Sequence, residues 1–142
     1  TKAQDFDADL IVGGLDSIKQ KINEIHELGN DATAKDKTML TVLEVALEMY
    51  ARGIKILPVD IYKSDASKFK VAGEKLLLPP MIALQGVGEN AAINIQKERE
   101  NGEFISKEEL RKRTKISKTV IETLTNHGSL DNMSDENQLS LF

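Results

Sequence analysis

The sequence predicts a mainly α-helical protein, and three observations support this fold class. Apolar residues recur at steps of three and four in two long stretches, 15–28 and 36–53, and this spacing is typical of one face of an α-helix. Only 4% of the 142 residues are aromatic, which suits a helical core of Leu, Ile, Val and Ala. Pro58 and the pair 79–80 break helices, so we expect a short extended region between two helical halves.

The two periodic stretches predict two helices that pack on each other. The first carries five aliphatic residues on one face: Leu15, Ile18, Ile22, Ile25 and Leu28. We expect Asp16 or Ser17 to cap this helix and Gly29 to end it. The second helix, within 36–53, has a wider apolar face formed by Leu40, Leu43, Leu47 and Tyr50. Gly53 is expected just after its last turn.

An extended connection over 54–62 and a short β-hairpin over 68–80, turning near Gly73, are predicted to follow. The pair 79–80 marks the expected domain boundary. We therefore predict a first domain over 1–80 and a second, helical domain over 81–130.

The second domain begins with a glycine turn between two apolar helical patterns. The backbone N–H groups of such a turn and of the helix that follows point outward together and attract anions. The pattern is that of a helix-hairpin-helix motif, which holds the phosphates of DNA without reading bases. The predicted backbone-binding residues of this turn are Gly86, Val87, Gly88, Glu89, Asn90 and Ala91. On the pattern alone, a simple helix connector is an equally good interpretation.

A second helix pair follows, with Ser106 and Glu109 placed as a capping box and Gly128 as the end of the last helix. Between these helices, five of the eight residues 111–118 are basic. We take this turn as a degenerate copy of the glycine turn, with Ser117, Lys118 and Thr119 in place of glycines, and we predict that Lys97, Lys115 and Lys118 assist phosphate binding. A solvated helix end is the alternative for the basic cluster.

Composition narrows the remaining possibilities. The net charge is −4 and there is no Cys, so any nucleic-acid contact is local and no thiolate metal site exists. No apolar run is long enough to span a membrane. His26 and His127 are expected to be surface or cap residues, and the acidic residues before position 10 a solvated terminus. We predict no catalytic residue, metal site or cofactor in this chain, and the absence of an initial Met suggests a fragment.

Several segments resemble the C-terminal end of the PolC-type DNA polymerase III α subunit of low-GC Gram-positive bacteria. They include 28-LGNDATAKDK-37, 41-TVLEVALEMYARGIK-55, 60-DIYKSDASKF-69, 79-PPMIALQGVG-88, 102-GEFISKEEL-110 and 137-NQLSLF-142. The resemblance implies that 1–80 is the end of a fingers domain and 81–130 a tandem helix-hairpin-helix region for primer-template duplex. It also implies a bacterial cytoplasmic, nucleoid-associated enzyme whose palm carboxylates and Mg²⁺ lie upstream, so this chain alone is expected to be inactive.

The last segment, 131–142, is expected to be a flexible polar tail that ends in a motif for the β sliding clamp. Its predicted anchors are Leu139, Leu141 and Phe142, with Gln138 fixing the orientation and small Ser140 allowing a close approach. Two alternatives remain at this point: a free-standing helix-hairpin-helix module of a repair protein, and a protein-interaction adaptor that does not bind DNA.

Overall fold

Helices dominate the computed structural model, which describes residues 3–136. The mainly α-helical prediction is therefore confirmed, and a small sheet accompanies the helices. In chain order the elements are α1 (Ala8–Val12), α2 (Leu15–Leu28), α3 (Ala34–Ala51), β1 (Lys55–Ile56), β2 (Lys70–Gly73), β3 (Leu76–Leu78), α4 (Glu89–Glu98), α5 (Lys107–Thr114) and α6 (Lys118–His127).

Helices α2 and α3 pack on each other as the periodicity predicts. Ile18, Ile25 and Leu43 are buried between them and the rest of the core. The capping of α3 is reciprocal, since the Asp36 N–H donates to Thr33 Oγ1 at 3.1 Å and the Thr33 N–H donates to Asp36 Oδ2 at 2.9 Å. That backbone hydrogen bond from Thr33 is the main cause that lowers the pKa of Asp36.

The expected cap of α2 was wrong. This helix begins at Leu15 with Gly14 as its N-cap and without a side-chain capping bond. The preceding helix α1 ends one residue before Gly13, so no room is left for a separate polar cap between the two helices. Gly29 does end α2, at φ +53°, and Gly53 follows α3 at φ +80°, as predicted.

The N-terminal stretch is part of the fold rather than a solvated terminus, which corrects the sequence prediction. Phe6, Ala8 and Ile11 are buried, and Asp7 caps α1 by accepting the Leu10 N–H on Oδ1 at 3.2 Å. The alternation of acidic residues concealed these apolar positions, because the acidic residues stand between side chains that enter the core.

The predicted hairpin is present, with β2 antiparallel to β3 and an irregular register between Val71 and Gly73. The sequence did not predict that β1 joins it. This strand runs parallel to β3, which lies in the centre of the sheet, and the Lys55 N–H donates to the Lys75 carbonyl at 2.8 Å. The sheet thereby fixes the chain between α3 and the second helical half.

One hydrophobic cluster extends across the predicted boundary after Pro80, joining Ile11 and Leu43 to Met81 and Leu124. A loop from the first half is also hydrogen-bonded to α4, where Gln96 accepts the Ala66 N–H at 2.7 Å. The division into domains at 80 and 130 stays a prediction. Within residues 3–136, no helix is long and apolar enough to cross a membrane.

Candidate nucleic-acid interface

The first predicted turn leads directly into the start of α4. Gly86 has φ +100°, and Gly88 is the N-cap of α4 with φ −75° and ψ 164°. Val87, between them, is buried and anchors the turn to the core. Both glycines and the first helical residues, Glu89 and Asn90, are exposed, so their backbone N–H groups are accessible to an anion.

One expectation about this turn was wrong. The apolar residues before it form a 3₁₀ turn over Met81–Ala83 rather than an α-helix. Only Gly86 needs positive φ, because the backbone of Gly88 lies in the ordinary extended region. The backbone conformation therefore does not require a glycine at position 88.

The second turn, one helix pair later, has a similar backbone geometry. Lys115 has φ +60° and occupies the place of Gly86. Ser117 is the N-cap of α6 with φ −74° and ψ 161°, within 3° of the values at Gly88. Ile116, like Val87, is 5% exposed. The copy is therefore Lys115-Ile116-Ser117, whereas the sequence interpretation had aligned Ser117, Lys118 and Thr119 with the glycines.

The two turns pack reciprocally against each other's helix. A Cβ added at Gly86 would lie 3.2 Å from Thr123 Oγ1, on α6. On the other side, Asn94 of α4 donates its side-chain N–H to the Thr114 carbonyl, next to the second turn, at 3.3 Å. Asn94 is six residues after Gly88, and Thr123 is six residues after Ser117. The equal six-residue spacing means that each turn lies beside the middle of the helix that the other turn begins.

Charge distinguishes the two turns. The first helical residue is Glu89 in α4 but Lys118 in α6. Among the described residues, no ion pair involves Arg111, Lys115 or Lys118, and all three are exposed. An exposed carboxylate repels phosphate and unpaired ammonium groups attract it, so the turn that the sequence marked as degenerate has the more favourable electrostatics.

Three other basic residues near the turns are less available to a phosphate there, because two are hydrogen-bonded within the protein and one lies far along α4. Arg99 donates to the carbonyls of Ile61 and Ser64 at 3.0 and 2.6 Å. Lys112 donates to Glu108 at 2.8 Å, and this hydrogen bond raises the pKa of Lys112. Lys97 is exposed but lies eight residues after Glu89, about 12 Å along the helix axis, so its predicted role would concern a different phosphate from the one at the first turn.

Arg113, the second arginine of the cluster, is a structural residue. Its guanidinium donates to the carbonyls of Glu98 and Gly102 at 2.7 and 3.0 Å, forms ion pairs with Glu98 and Glu109, and lies 4.4 Å from the ring centre of Phe104. It fixes the connection between α4 and α5, and with it the relative placement of the two turns.

His127 is also structural, which corrects its prediction as a surface or cap residue. Its side chain is 2% exposed. Nε2 accepts the Val59 N–H at 3.0 Å, and Nδ1 lies 3.0 Å from Asp9 Oδ1. The ring therefore carries its proton on Nδ1, and this N–H donates a hydrogen bond to Asp9 Oδ1. One side chain thus joins the end of α6 to both α1 and the segment after β1.

The predicted tail begins as an ordered segment. Leu130 is buried and Met133 packs against the core, and residues 134–135 lie beside the start of α5. The predicted clamp motif, Gln138, Leu139, Ser140, Leu141 and Phe142, lies outside the described residues, so this prediction stays untested. Between residues 3 and 136, no group of three His, Asp or Glu side chains could hold a metal ion.

The helix pairs and their turns lie in a region that matches a known family. Residues 53–139 match the family described as the helix-hairpin-helix motif. The chain belongs to the helix-hairpin-helix family. The matched region begins before the predicted boundary at 80, so it includes the three-stranded sheet as well as α4, α5 and α6.

The chain also matches one segment of much longer proteins. It is 58% identical over 141 residues to the DNA polymerase III PolC-type of Clostridium perfringens, 57% to that of Caldanaerobacter subterraneus and 49% to that of Bacillus subtilis. Each match covers 99% of this chain and about 10% of the relative. The resemblance to a segment of a PolC-type polymerase is therefore confirmed.

Proposed function

We propose that this chain is the C-terminal, DNA-binding part of a PolC-type replicative polymerase and that it grips duplex DNA through both helix-hairpin-helix turns. The observation that supports this most is the reciprocal packing of the turns, with Gly86 against α6 and Thr114 against α4. In this proposal the two helix starts present two sets of N–H groups to neighbouring phosphates. Such contacts position a duplex without reading its sequence.

In this proposal the second turn contributes most of the affinity. The N–H groups of Lys118 and Thr119 bind one phosphate, while the Lys115 and Lys118 ammonium groups neutralise it and its neighbour. The first turn contributes the amides of Gly88, Glu89 and Asn90. Its conformation allows a close approach, because nothing lies within 4 Å of a Cβ built at Gly88.

A salt-dependent titration with fluorescent duplex tests the DNA proposal. The variant Lys115→Gln/Lys118→Gln is expected to weaken binding and to lower the slope of log K against log salt by up to about 2, since each neutralised phosphate contributes about 0.9. The matched control, Lys19→Gln/Lys37→Gln, changes the net charge equally on exposed positions of α2 and α3 and should bind as the parent does.

Equal weakening by the two double variants would mean that only net charge matters. Unchanged binding by both would mean that the duplex binds elsewhere and that the turns are connectors. No duplex binding by the parent would support the adaptor alternative. The repair-module alternative is less well supported, because the relatives described above are PolC-type DNA polymerases and each match covers 99% of this chain.

The second part of the proposal is that residues 138–142 dock on the β sliding clamp. The sequence supports it through three apolar anchors, Leu139, Leu141 and Phe142, that follow a polar segment. Burial of each anchor contributes about 1.5–3 kcal/mol, and much of this gain is offset by association and ordering costs. We expect micromolar affinity for the isolated clamp in calorimetry, and loss of binding when 138–142 are deleted while duplex binding is retained.

The remaining proposals concern the parent enzyme. Residues 1–80 would belong to the fingers domain, and the palm carboxylates that hold Mg²⁺ for nucleotidyl transfer would lie in the other part of the polymerase. The chain alone would then have no polymerase activity, and the parent would act in the bacterial cytoplasm at the nucleoid. A primer-extension assay of the isolated chain tests the first of these, and measurable extension would contradict it.

A further inference from the structure

The start of α5 is capped by the segment that leads into the predicted clamp motif. The Lys107 N–H donates to the Ser134 carbonyl at 2.8 Å, and the Glu108 N–H donates to the Asp135 carbonyl at 3.0 Å. The next amide, of Glu109, donates to Ser106 Oγ at 3.1 Å. The first three N–H groups of α5, which have no partner within the helix, are therefore all satisfied.

Side chains reinforce this arrangement, which we call the clasp (residues 106–108 with 134–136). Lys107 Nζ lies 3.1 Å from Asp135 Oδ1, and the Lys107 side chain is only 18% exposed. Ser134 Oγ donates to the Glu136 carbonyl at 3.0 Å. Buried Leu130 holds the same segment from its N-terminal side. Detaching the clasp would leave two helix amides without these partners, which disfavours opening.

The clasp shortens the connection to the predicted motif. The sequence suggests a free linker over 131–137, but Met133 packs against the core and the Ser134 and Asp135 carbonyls accept from α5. Only Asn137 separates Glu136 from Gln138. Two residues of extended chain span at most about 7 Å. The second DNA-binding turn lies at the other end of α5, which is eight residues long, or about 12 Å.

We propose that the clasp is a mount that fixes where a protein bound at residues 138–142 sits relative to DNA held at the two turns. This inference rests on the proposed clamp and DNA functions. In this proposal Lys107 and Asp135 are positioning residues, which act by holding the segment before the motif on α5. A short fixed connection gives a higher effective concentration of the second binding event than a long flexible one does, so the mount strengthens binding to a clamp that already encircles DNA.

Three variants of the 142-residue chain test the mount. The first inserts twelve Gly/Ser residues between Asn137 and Gln138, which lengthens the connection and leaves the clasp intact. The second is Asp135→Lys, which places two ammonium groups opposite each other. The third is Lys107→Glu/Asp135→Lys, which restores the ion pair with reversed charges and serves as the matched control.

Two affinities are measured for each variant, one for the free sliding clamp and one for the clamp loaded on primed duplex. We expect all forms to bind the free clamp equally and the parent to bind the loaded clamp more tightly. The insertion and Asp135→Lys should reduce that gain at least about fivefold, and the charge-swapped pair should recover it. Amide exchange supplies an independent readout, with Lys107 and Glu108 protected in the parent and exposed in Asp135→Lys.

The outcomes separate the two levels of the proposal. If the parent does not bind the free clamp, the clamp function is wrong and the mount falls with it. If all forms bind the free clamp and show the same gain on DNA, the clamp function stands and the mount alone is refuted. Fast exchange of the Lys107 and Glu108 amides in the parent would also refute the mount.

Discussion

Substitution by alanine is expected to lower the free energy of unfolding clearly at Gly86 but only slightly at Gly88. Gly86→Ala places a side chain at φ +100° with its Cβ 3.2 Å from Thr123 Oγ1. Backbone strain of this kind costs about 1–3 kcal/mol. Gly88→Ala keeps an ordinary φ of −75° in open space, and replacing an N-cap glycine costs only about 0.5 kcal/mol.

Urea denaturation followed by circular dichroism measures both effects. With a slope near 2 kcal/mol per molar urea, typical of small proteins, a 2 kcal/mol loss in Gly86→Ala lowers the midpoint by about 1 M. The midpoint of Gly88→Ala should move by about 0.3 M or less. Adding Thr123→Ala to Gly86→Ala removes the contact and leaves the strain, so most of the loss should persist. Equal midpoints for the two alanine variants would refute the assignment of positive φ to Gly86 alone.

Three further predictions concern stability. Lys115→Gly relieves a lysine at φ +60°, where a side chain costs about 1 kcal/mol, so the denaturation midpoint should rise while duplex affinity falls; a drop in both would contradict the strain. Arg113→Ala removes several hydrogen bonds to carbonyls and should cost about 2–4 kcal/mol in chemical denaturation, whereas exposed Arg111→Ala should cost less than about 0.5 kcal/mol. Leu43→Ala, at a fully buried position, should cost about 2–5 kcal/mol, and Val45→Ala, 46% exposed on the same helix, clearly less; similar midpoints for the two variants would contradict this difference in burial.

Local patterns in the sequence were sufficient for most of the helices. The aliphatic steps in 15–28 predicted α2, and the glycine turn predicted the start of α4 at Glu89. The Ser106 cap was also recognisable, because its bond to the Glu109 N–H joins residues three apart. These features depend on interactions within one helical turn, which a single sequence displays directly.

Long-range features were not accessible in the same way. His127 contacts Asp9 and Val59, which are separated from it by more than 60 residues, and nothing in the local pattern links them. The pairing of β1 with β3 and the attachment of Ser134 to α5 have the same character. The equivalence of Lys115 with Gly86 was hidden because a lysine in the left-handed region is uncommon.

The most direct test of the proposed function is an NMR titration of the ¹⁵N-labelled chain with a short duplex of arbitrary sequence. Binding through both turns predicts that the amides of 88–90 and 117–119 shift most, and that both groups saturate with one dissociation constant. The amides of α2 and α3 should stay in place. Shifts confined to one turn, two different dissociation constants, or larger shifts on α2 and α3 than at the turns would contradict the proposal.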